Sequence, residues 1–365
     1  MSTNAYVAPH IAAIKPYRAG SSFAIEERHG EQLIRMASNE SPWGPSAEIM
    51  AAIAQQLGDT PLNRYPDAAA TELCKDIATH HKVNPDCVRV GHGSSELIDL
   101  ACRSYATPQD HAIIGLPSFS SYPLYLQAAN VPYTEVPLRD YLGWDVETLL
   151  AAVKPNTRLM FIANPNNPTG AHLNRMELQR LINELPDEVL LVMDEAYVDF
   201  VTDADFSSAL ELRQQRDRLL ILRTFSKAYG LASLRIGYAI GQASWLQYLD
   251  HVRLPFNTSA LAQTAARAAL QNHATIQRQC QLIMQEREKL AKALTQASVE
   301  VAPSQANFLL IKPPGNRAGQ VYQGLLDEGI VVRPLSGPAS NWLRVTISLP
   351  EHNTRFLHSF LPLCQ

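Results

Sequence analysis

The stretch that decides the fold runs Leu219-Leu220-Ile221-Leu222-Arg223-Thr224-Phe225-Ser226-Lys227-Ala228-Tyr229-Gly230-Leu231-Ala232-Ser233-Leu234-Arg235. Its first four residues form an apolar run that predicts a buried strand. The hydroxyls of Thr224 and Ser226 come just before Lys227, and Arg235 follows eight positions later. A buried lysine amine can condense with an aldehyde, and hydroxyls with an arginine can hold a phosphate. An aldehyde that carries a phosphate describes pyridoxal phosphate.

Further apolar runs alternate with helical stretches on both sides of this segment. They are Val88–Val90, Ala112–Leu116, Leu159–Ile162, Val189–Met193 and Ile236–Ile240, and Val131–Val136 gives a weaker signal of the same kind. Helices are predicted at Ala47–Leu57 and Ala68–His81. Nearly continuous apolar strands separated by helices predict a mainly parallel sheet that is covered on both faces, in a chain of the α/β class.

The last third of the chain predicts a smaller α+β domain. Thr258–Ala297 is alanine-rich and helical, as two helices or one bent helix. Three strands follow at Phe308–Ile311, Ile330–Val332 and Leu343–Ile347, and the first two flank a helix at Ala318–Leu326. We therefore expect three parts, which are an N-terminal arm (1–35) that packs with the small domain, a large domain (36–255) and the small domain (256–365).

Polar residues follow four of the predicted strands. Asn167 follows Leu159–Ile162, Asp194 closes Val189–Met193, and Gly93-Ser94-Ser95 comes shortly after Val88–Val90. Lys227 follows its own strand in the same way. Ligands of open α/β sheets bind beyond the carboxyl ends of the strands, so these segments predict one shared site.

Three motifs carry a resemblance to a known family. Asn164-Pro165-Asn166-Asn167-Pro168-Thr169-Gly170, Asp194-Glu195-Ala196-Tyr197 and the Lys227 segment resemble the fold-type I pyridoxal-phosphate-dependent aminotransferases. From about Pro9 to about Phe360 the chain resembles the histidinol-phosphate aminotransferases. The resemblance implies a large domain with a seven-stranded, mainly parallel sheet and a smaller α+β domain.

The resemblance also implies the residues of a cofactor site. Lys227 would hold pyridoxal phosphate as a Schiff base and then move the substrate's proton. Asp194 would pair with the pyridine nitrogen, so that the ring accepts electrons. Tyr197 and Asn167 would both donate to the ring's O3′ oxygen, and Phe119 matches the aromatic residue that stacks on the ring. Alternatively, Phe119 packs in the hydrophobic core and contacts no ligand.

The phosphate and the second subunit involve further residues. A phosphate cup would consist of Gly93, Ser94, Ser95, Thr224, Ser226 and Arg235, with the N-terminus of a helix predicted at Glu96–Ser104 adding its amides. Tyr65 resembles the tyrosine that reaches the cofactor phosphate of a neighbouring subunit, which implies a homodimer with a shared site. A plain loop tyrosine would have the same sequence signature.

For the substrate site, the family's pair is L-histidinol phosphate and 2-oxoglutarate, which give imidazole-acetol phosphate and L-glutamate in a ping-pong reaction. Arg344, Arg333 and Tyr17 match residues that bind the substrate's anionic groups. Surface ion pairing or packing explains Arg333 and Tyr17 nearly as well. Two departures from the family pattern, Ser233 and the stretch 336–342, put the amino donor in question.

Two other functions stay open. The same cofactor residues serve aminotransferases of aromatic or other amino acids and decarboxylases of the threonine-phosphate type. A non-catalytic regulator that binds pyridoxal phosphate is a different class, but no basic or helix-turn-helix segment precedes the arm.

Composition excludes several classes of protein. The formal charge of −4 and the pI near 6.3 argue against a nucleic-acid or membrane-surface partner. The N-terminal residues have no apolar signal region, and no apolar run is long enough to span a bilayer. The five cysteines and eleven histidines have no metal-type spacing. We therefore expect a cytoplasmic enzyme without a metal.

Overall fold

The computed structural model describes residues 6–16, 33–59, 62–140 and 142–365. The strands are β1 (Ile34–Arg35), β2 (Val88–His92), β3 (His111–Leu116), β4 (Tyr133–Pro137), β5 (Thr157–Ala163), β6 (Leu190–Asp194), β7 (Leu219–Thr224), β8 (Ile236–Gly241), β9 (Glu300–Ala302), β10 (Phe308–Lys312), β11 (Ile330–Val331), β12 (Arg333–Pro334) and β13 (Leu343–Thr346). The α-helices are α1 (Pro9–Ala12), α2 (Ala47–Asp59), α3 (Thr71–His81), α4 (Gly93–Tyr105), α5 (Ser121–Ala128), α6 (Val146–Ala151), α7 (Arg175–Glu184), α8 (Ala243–Val252), α9 (Ala260–Gln271), α10 (His273–Gln296), α11 (Ala318–Asp327) and α12 (Pro350–Leu363).

In the part of the chain that the structure describes, the largest sheet has seven strands in the order β2-β8-β7-β6-β5-β3-β4. All neighbours pair in parallel except β8, which is antiparallel to both β2 and β7. Each predicted apolar run overlaps one of these strands, including the weak run Val131–Val136, which overlaps the edge strand β4. The prediction of an α/β fold with a mainly parallel seven-stranded sheet is confirmed.

Both faces of this sheet are covered by apolar packing. Alternate residues of β5 to β7 enter two separate hydrophobic clusters, so Met160, Leu191 and Ile221 pack on one face, whereas Phe161, Val192 and Leu222 pack on the other. This explains why these strands are almost uninterrupted apolar runs, since every residue must be buried.

The remaining strands form two smaller sheets. Strands β12, β13, β10 and β9 make an antiparallel sheet in that order, and β1 pairs in parallel with β11. The long helical stretch is two helices, because α9 ends at Gln271 and α10 begins at His273. None of the helices in the described ranges is long and apolar enough to cross a membrane.

The segment that was predicted as an arm contacts both parts of the molecule. Its last residues, Ile34 and Arg35, pair with Ile330 and Val331 beside the smaller sheet. Helix α1, in contrast, contacts α5 next to the large sheet. The domain boundaries at 35 and 255 stay a prediction.

Candidate active site

One cavity of about 580 Å³ lies beyond the carboxyl ends of the parallel strands and is closed on its other side by β12 and β13. Its lining includes most of the predicted site residues, which are Ser94, Ser95, Phe119, Asn167, Asp194, Tyr197, Thr224, Ser226, Lys227, Arg235, Arg333 and Arg344. The parallel strands bring the carboxyl ends of β5, β6 and β7 to one edge. Arg235 reaches the same edge because it precedes the antiparallel strand β8.

Lys227 lies in the connection between β7 and β8. Its Nζ donates to the carbonyl oxygen of Ser38 at 2.7 Å. Burial, together with the positive charges of Arg344 and Arg235, lowers the pKa of the Lys227 amine to about 8, against the opposing negative charge of Glu40. An amine with this pKa has a substantial neutral fraction near physiological pH, so it can act as a nucleophile or a base.

Asp194 ends strand β6 and is buried. Its Oδ2 accepts from the Tyr122 hydroxyl at 3.0 Å, and its Oδ1 accepts from the Ala196 backbone N–H at 3.2 Å. Burial raises the pKa of the Asp194 carboxyl to about 6, although both hydrogen bonds favour the ionised form. The carboxylate is thus held in place as an acceptor for a group in the cavity.

Tyr197 and Asn167 are each oriented by a neighbour. Asn39 donates through Nδ2 to the Tyr197 hydroxyl at 2.9 Å. The Oδ1 of Asn167 accepts from Arg344 Nη1 at 2.5 Å, which leaves the Asn167 amide N–H groups as the donor side. Both residues therefore present donors at the wall of the cavity.

Hydroxyls, a helix N-terminus and Arg235 form a cup for an anion. Ser94 and Ser95 lie in the first turn of α4, where backbone N–H groups have no partner within the helix. Arg235 Nη1 lies 3.4 Å from Ser226 Oγ and donates to the Ala232 carbonyl at 2.9 Å. Gly93 does not line the cavity, but it has a φ of +72° and lies directly against Arg235.

Phe119 lies at the cavity wall and is supported from behind. Its ring makes an edge contact with Tyr122, with centroids 5.4 Å apart. Tyr122 in turn stacks on Phe161 at 5.2 Å. The partly buried Phe119 ring is therefore a fixed flat surface against which a planar ligand can stack.

Arg333 and Arg344 form the opposite wall. They are directly opposite each other in the antiparallel pair β12–β13, so both side chains extend from the same face of that sheet. Arg344 is buried and donates to two neutral oxygens, Asn167 Oδ1 and the Ala37 carbonyl. Two guanidinium groups on one face of the sheet can both donate to an anion that binds at this wall.

The structure does not bring every predicted residue to this cavity. Tyr65 is 80% exposed, stacks on Phe256 at 4.3 Å between centroids, and does not line the cavity of its own chain. Tyr17 lies outside the described residues. Ser233 lies in the short 3₁₀ turn Ala232–Leu234 just before Arg235. In the stretch 336–342, Ser336 and Ala339 line the cavity.

Several residues that sequence reasoning missed contact the predicted ones, among them Tyr122, Asn39, Ser38 and Ala37. Tyr122 had a signal, because it stands three positions after Phe119 at the start of a helix. Asn39 and Ser38 had none, since they lie more than 150 residues away from Tyr197 and Lys227 in sequence.

Comparison with known proteins agrees with this arrangement. The family described as "Aminotransferase class I and II" matches residues 31–360. The chain is 36% identical to a histidinol-phosphate aminotransferase of Anaeromyxobacter sp. (strain Fw109-5), over 96% of this chain and 97% of that relative. It is 37% identical to the histidinol-phosphate aminotransferase of Geobacillus sp. (strain WCH70), over 96% and 95% of the two chains.

A solved structure is similar over its whole length. The crystal structure of histidinol-phosphate aminotransferase from Sinorhizobium meliloti, in complex with pyridoxal-5′-phosphate, superposes with a TM-score of 0.90. The two sequences are 26% identical, and the match covers 100% of this chain and 98% of that structure. From the family match and the full-length relatives it follows that the chain belongs to the class I and II aminotransferases.

Proposed function

We propose that the protein is a pyridoxal-phosphate-dependent transaminase that converts L-histidinol phosphate and 2-oxoglutarate to imidazole-acetol phosphate and L-glutamate, a reaction of histidine biosynthesis. The observation that carries the proposal is a single cavity with Lys227 and Asp194 on one side and the arginine pair Arg333 and Arg344 on the other. The names of the full-length relatives support the same substrate.

The residues of the cavity suit pyridoxal phosphate. Lys227 offers an amine of lowered pKa, Asp194 offers a buried carboxylate, and Phe119 offers a flat apolar surface. Gly93 leaves room for the Arg235 guanidinium in the anion cup, where an added Cβ would lie 2.5 Å from Nη2. When bound, the cofactor supplies an aldehyde that condenses with amines and a ring that accepts electrons.

The protein's own groups then hold the ring and move one proton. Asp194 would accept a hydrogen bond from the protonated pyridine nitrogen, while Tyr197 and Asn167 donate to the ring's oxygen. Lys227 would take the proton from the carbon that carries the substrate's amino group and return it to the carbon on the other side of that nitrogen. Its pKa of about 8 suits both directions of this transfer near neutral pH.

The arginine pair would select substrates by charge. The amino donor of this reaction carries a phosphate and the acceptor carries carboxylates, so each brings an anion to the same wall. A guanidinium fork binds either anion through two parallel hydrogen bonds. Arg344, fixed by Asn167 and Ala37, would provide the rigid contact and Arg333 the second one.

The homodimer with a shared site and the cytoplasmic location belong to this proposal. Tyr65 is exposed and stacked on Phe256 away from its own cavity, which suits a residue that reaches into the cavity of a second subunit. The five cysteines are free thiols, as expected in a reducing compartment.

Purified protein tests the function directly. With pyridoxal phosphate and 2-oxoglutarate, L-histidinol phosphate is expected to give L-glutamate, with the parallel double-reciprocal plots of a ping-pong reaction. Lys227→Ala should abolish both turnover and the absorbance band of the lysine-bound cofactor.

Other donors in the same assay separate the alternatives. Preferred turnover of phenylalanine would identify an aromatic aminotransferase, and release of carbon dioxide from threonine phosphate would identify a decarboxylase. Firm cofactor binding without turnover of any donor would favour a regulator. Each of these results would overturn the proposed substrate.

A further inference from the structure

Tyr122 contacts two residues that line the active-site cavity, Phe119 and Asp194. It is the second residue of α5 and its side chain is fully buried. The ring stacks on Phe161, with centroids 5.2 Å apart and planes 26° apart. Phe119 makes an edge-to-face contact with the same ring, with centroids 5.4 Å apart and planes 87° apart. Two aromatic contacts thus fix the direction in which the Tyr122 hydroxyl extends from the ring.

The hydroxyl extends to Asp194. Its oxygen lies 3.0 Å from Asp194 Oδ2, and the Ala196 backbone N–H donates to Oδ1 at 3.2 Å. An ionised carboxylate only accepts hydrogen bonds, so the phenol must be the donor. Since the two donors hold different oxygens, the plane of the carboxylate cannot rotate without breaking one of them.

We propose that Tyr122 is a positioning residue that orients the Asp194 carboxylate toward the cofactor's pyridine nitrogen and keeps that carboxylate ionised, while its ring supports the Phe119 surface on which the cofactor stacks. This inference rests on the proposed function, because it assigns a partner to the carboxylate. One side chain would therefore fix both the face and the nitrogen of the bound ring.

The groups around Asp194 determine in which direction its pKa shifts when the Tyr122 hydroxyl is removed. The ionisable groups that act on Asp194 are Tyr122, Glu195 and Lys227, of which Glu195 raises and Lys227 lowers its pKa. Burial raises the pKa of Asp194 to about 6, and the Tyr122 hydrogen bond opposes this rise. Burial also raises the pKa of Tyr122, so the phenol stays a donor. Removal of the hydroxyl must therefore raise the Asp194 pKa further.

Tyr122→Phe tests the inference, because it keeps both aromatic contacts and removes only the hydrogen bond. The dissociation constant of pyridoxal phosphate is measured by equilibrium dialysis between pH 6 and pH 8.5. We expect binding about tenfold weaker than wild type at pH 6.5, as for loss of a hydrogen bond to a charged group. The loss of affinity relative to wild type should become smaller toward pH 8.5, where the Asp194 carboxyl of the variant is ionised.

Tyr238→Phe is the matched control. Tyr238 is also buried, and its hydroxyl hydrogen-bonds to His81 Nε2 at 2.7 Å, outside the lining of the cavity. This variant should bind the cofactor as wild type does at every pH. Equal losses in the two variants, or a Tyr122→Phe profile identical to that of wild type, would overturn the inference.

A double variant separates positioning from general damage. In an Asp194→Asn background the hydroxyl has no carboxylate to orient, so adding Tyr122→Phe should cause no further loss of cofactor affinity. A further loss of the same size would mean that the Tyr122 hydroxyl acts independently of the Asp194 carboxylate, against the inference. Failure of the wild-type protein to bind pyridoxal phosphate would instead reject the proposed function.

Discussion

At the scale of single residues, the Lys227 amine titrates in a range that its neighbours set. Burial is the largest cause of the lowered pKa, and the positive charge of Arg344 lowers it too. Glu40 opposes both, and the resulting pKa is about 8. A neutral amine near neutral pH is what condensation with an aldehyde requires. The chemistry of the site therefore depends on charges that lie on separate segments of the chain.

This dependence predicts how the titration of Lys227 responds to charge removal. Competitive labelling of the cofactor-free protein with acetic anhydride, read by peptide mass spectrometry, should give a midpoint near pH 8. Arg344→Gln removes a cation and should move the midpoint to higher pH, whereas Glu40→Gln should move it to lower pH. Arg344→Lys keeps the charge and serves as the control. A wild-type midpoint near 10.5 would contradict the account.

Gly93 gives a second prediction at this scale. Gly93→Ala would place a Cβ 2.5 Å from Arg235 Nη2 at a backbone φ of +72°, where an L side chain costs about 1–2 kcal/mol. The displaced guanidinium should weaken pyridoxal phosphate binding about tenfold or more, since a charged hydrogen bond is lost. Gly319→Ala, in helix α11 with open space around it, should leave affinity unchanged. Equal affinity of both variants would count against Arg235 as the phosphate ligand.

At the scale of elements, the pairing of β12 with β13 places Arg333 opposite Arg344. An anion that binds both guanidinium groups would link the two strands. The two strands are therefore expected to be more stable when substrate is bound. This links the stability of the smaller sheet to the occupancy of the site.

Thermal unfolding of the cofactor-loaded protein can show this link. Succinate, a dicarboxylate that cannot react, should raise the unfolding temperature by about 2 °C relative to sodium chloride of equal ionic strength. Arg333→Gln should lose most of that increment. Arg180→Gln, which alters an exposed ion-pair residue on helix α7, should keep it. An unchanged increment in Arg333→Gln would show that this arginine does not contact the anion.

At the scale of the whole molecule, the exposed Tyr65 leads to a test of the shared site. A dimer of one Lys227→Ala subunit and one Tyr65→Ala subunit would contain one site with both residues intact. Each variant alone should be weakly active or inactive. Co-refolding equal amounts should restore about a quarter of wild-type activity, since about half of the dimers are mixed and half of their sites are complete. No gain on mixing would mean that each site uses its own Tyr65 or none.

Much of this architecture could be predicted from the sequence. The central strands of the large sheet are buried on both faces, so each is an apolar run in the sequence, whereas the edge strand β4 is partly exposed and gives a weaker signal. The strands β1, β9 and β12 were missed because two or three residues show no periodicity.

The site was predictable only where its residues lie in local motifs. Lys227, Asp194 and Asn167 each follow a strand, and their positions at one sheet edge follow from that. Ser38 and Asn39 could not be found in this way, because they lie in the segment after β1 and reach the site through contacts that only the folded molecule makes.

The antiparallel strand β8 limits where related chains can gain or lose residues. Lys227 and Arg235 share one short connection, and both of its ends are fixed in register by the pairing of Thr224 with Gly237. An inserted residue there would push the amine and the guanidinium apart. Relatives are therefore expected to gain or lose residues at the far edge of the sheet, while residues 225–235 keep a constant length.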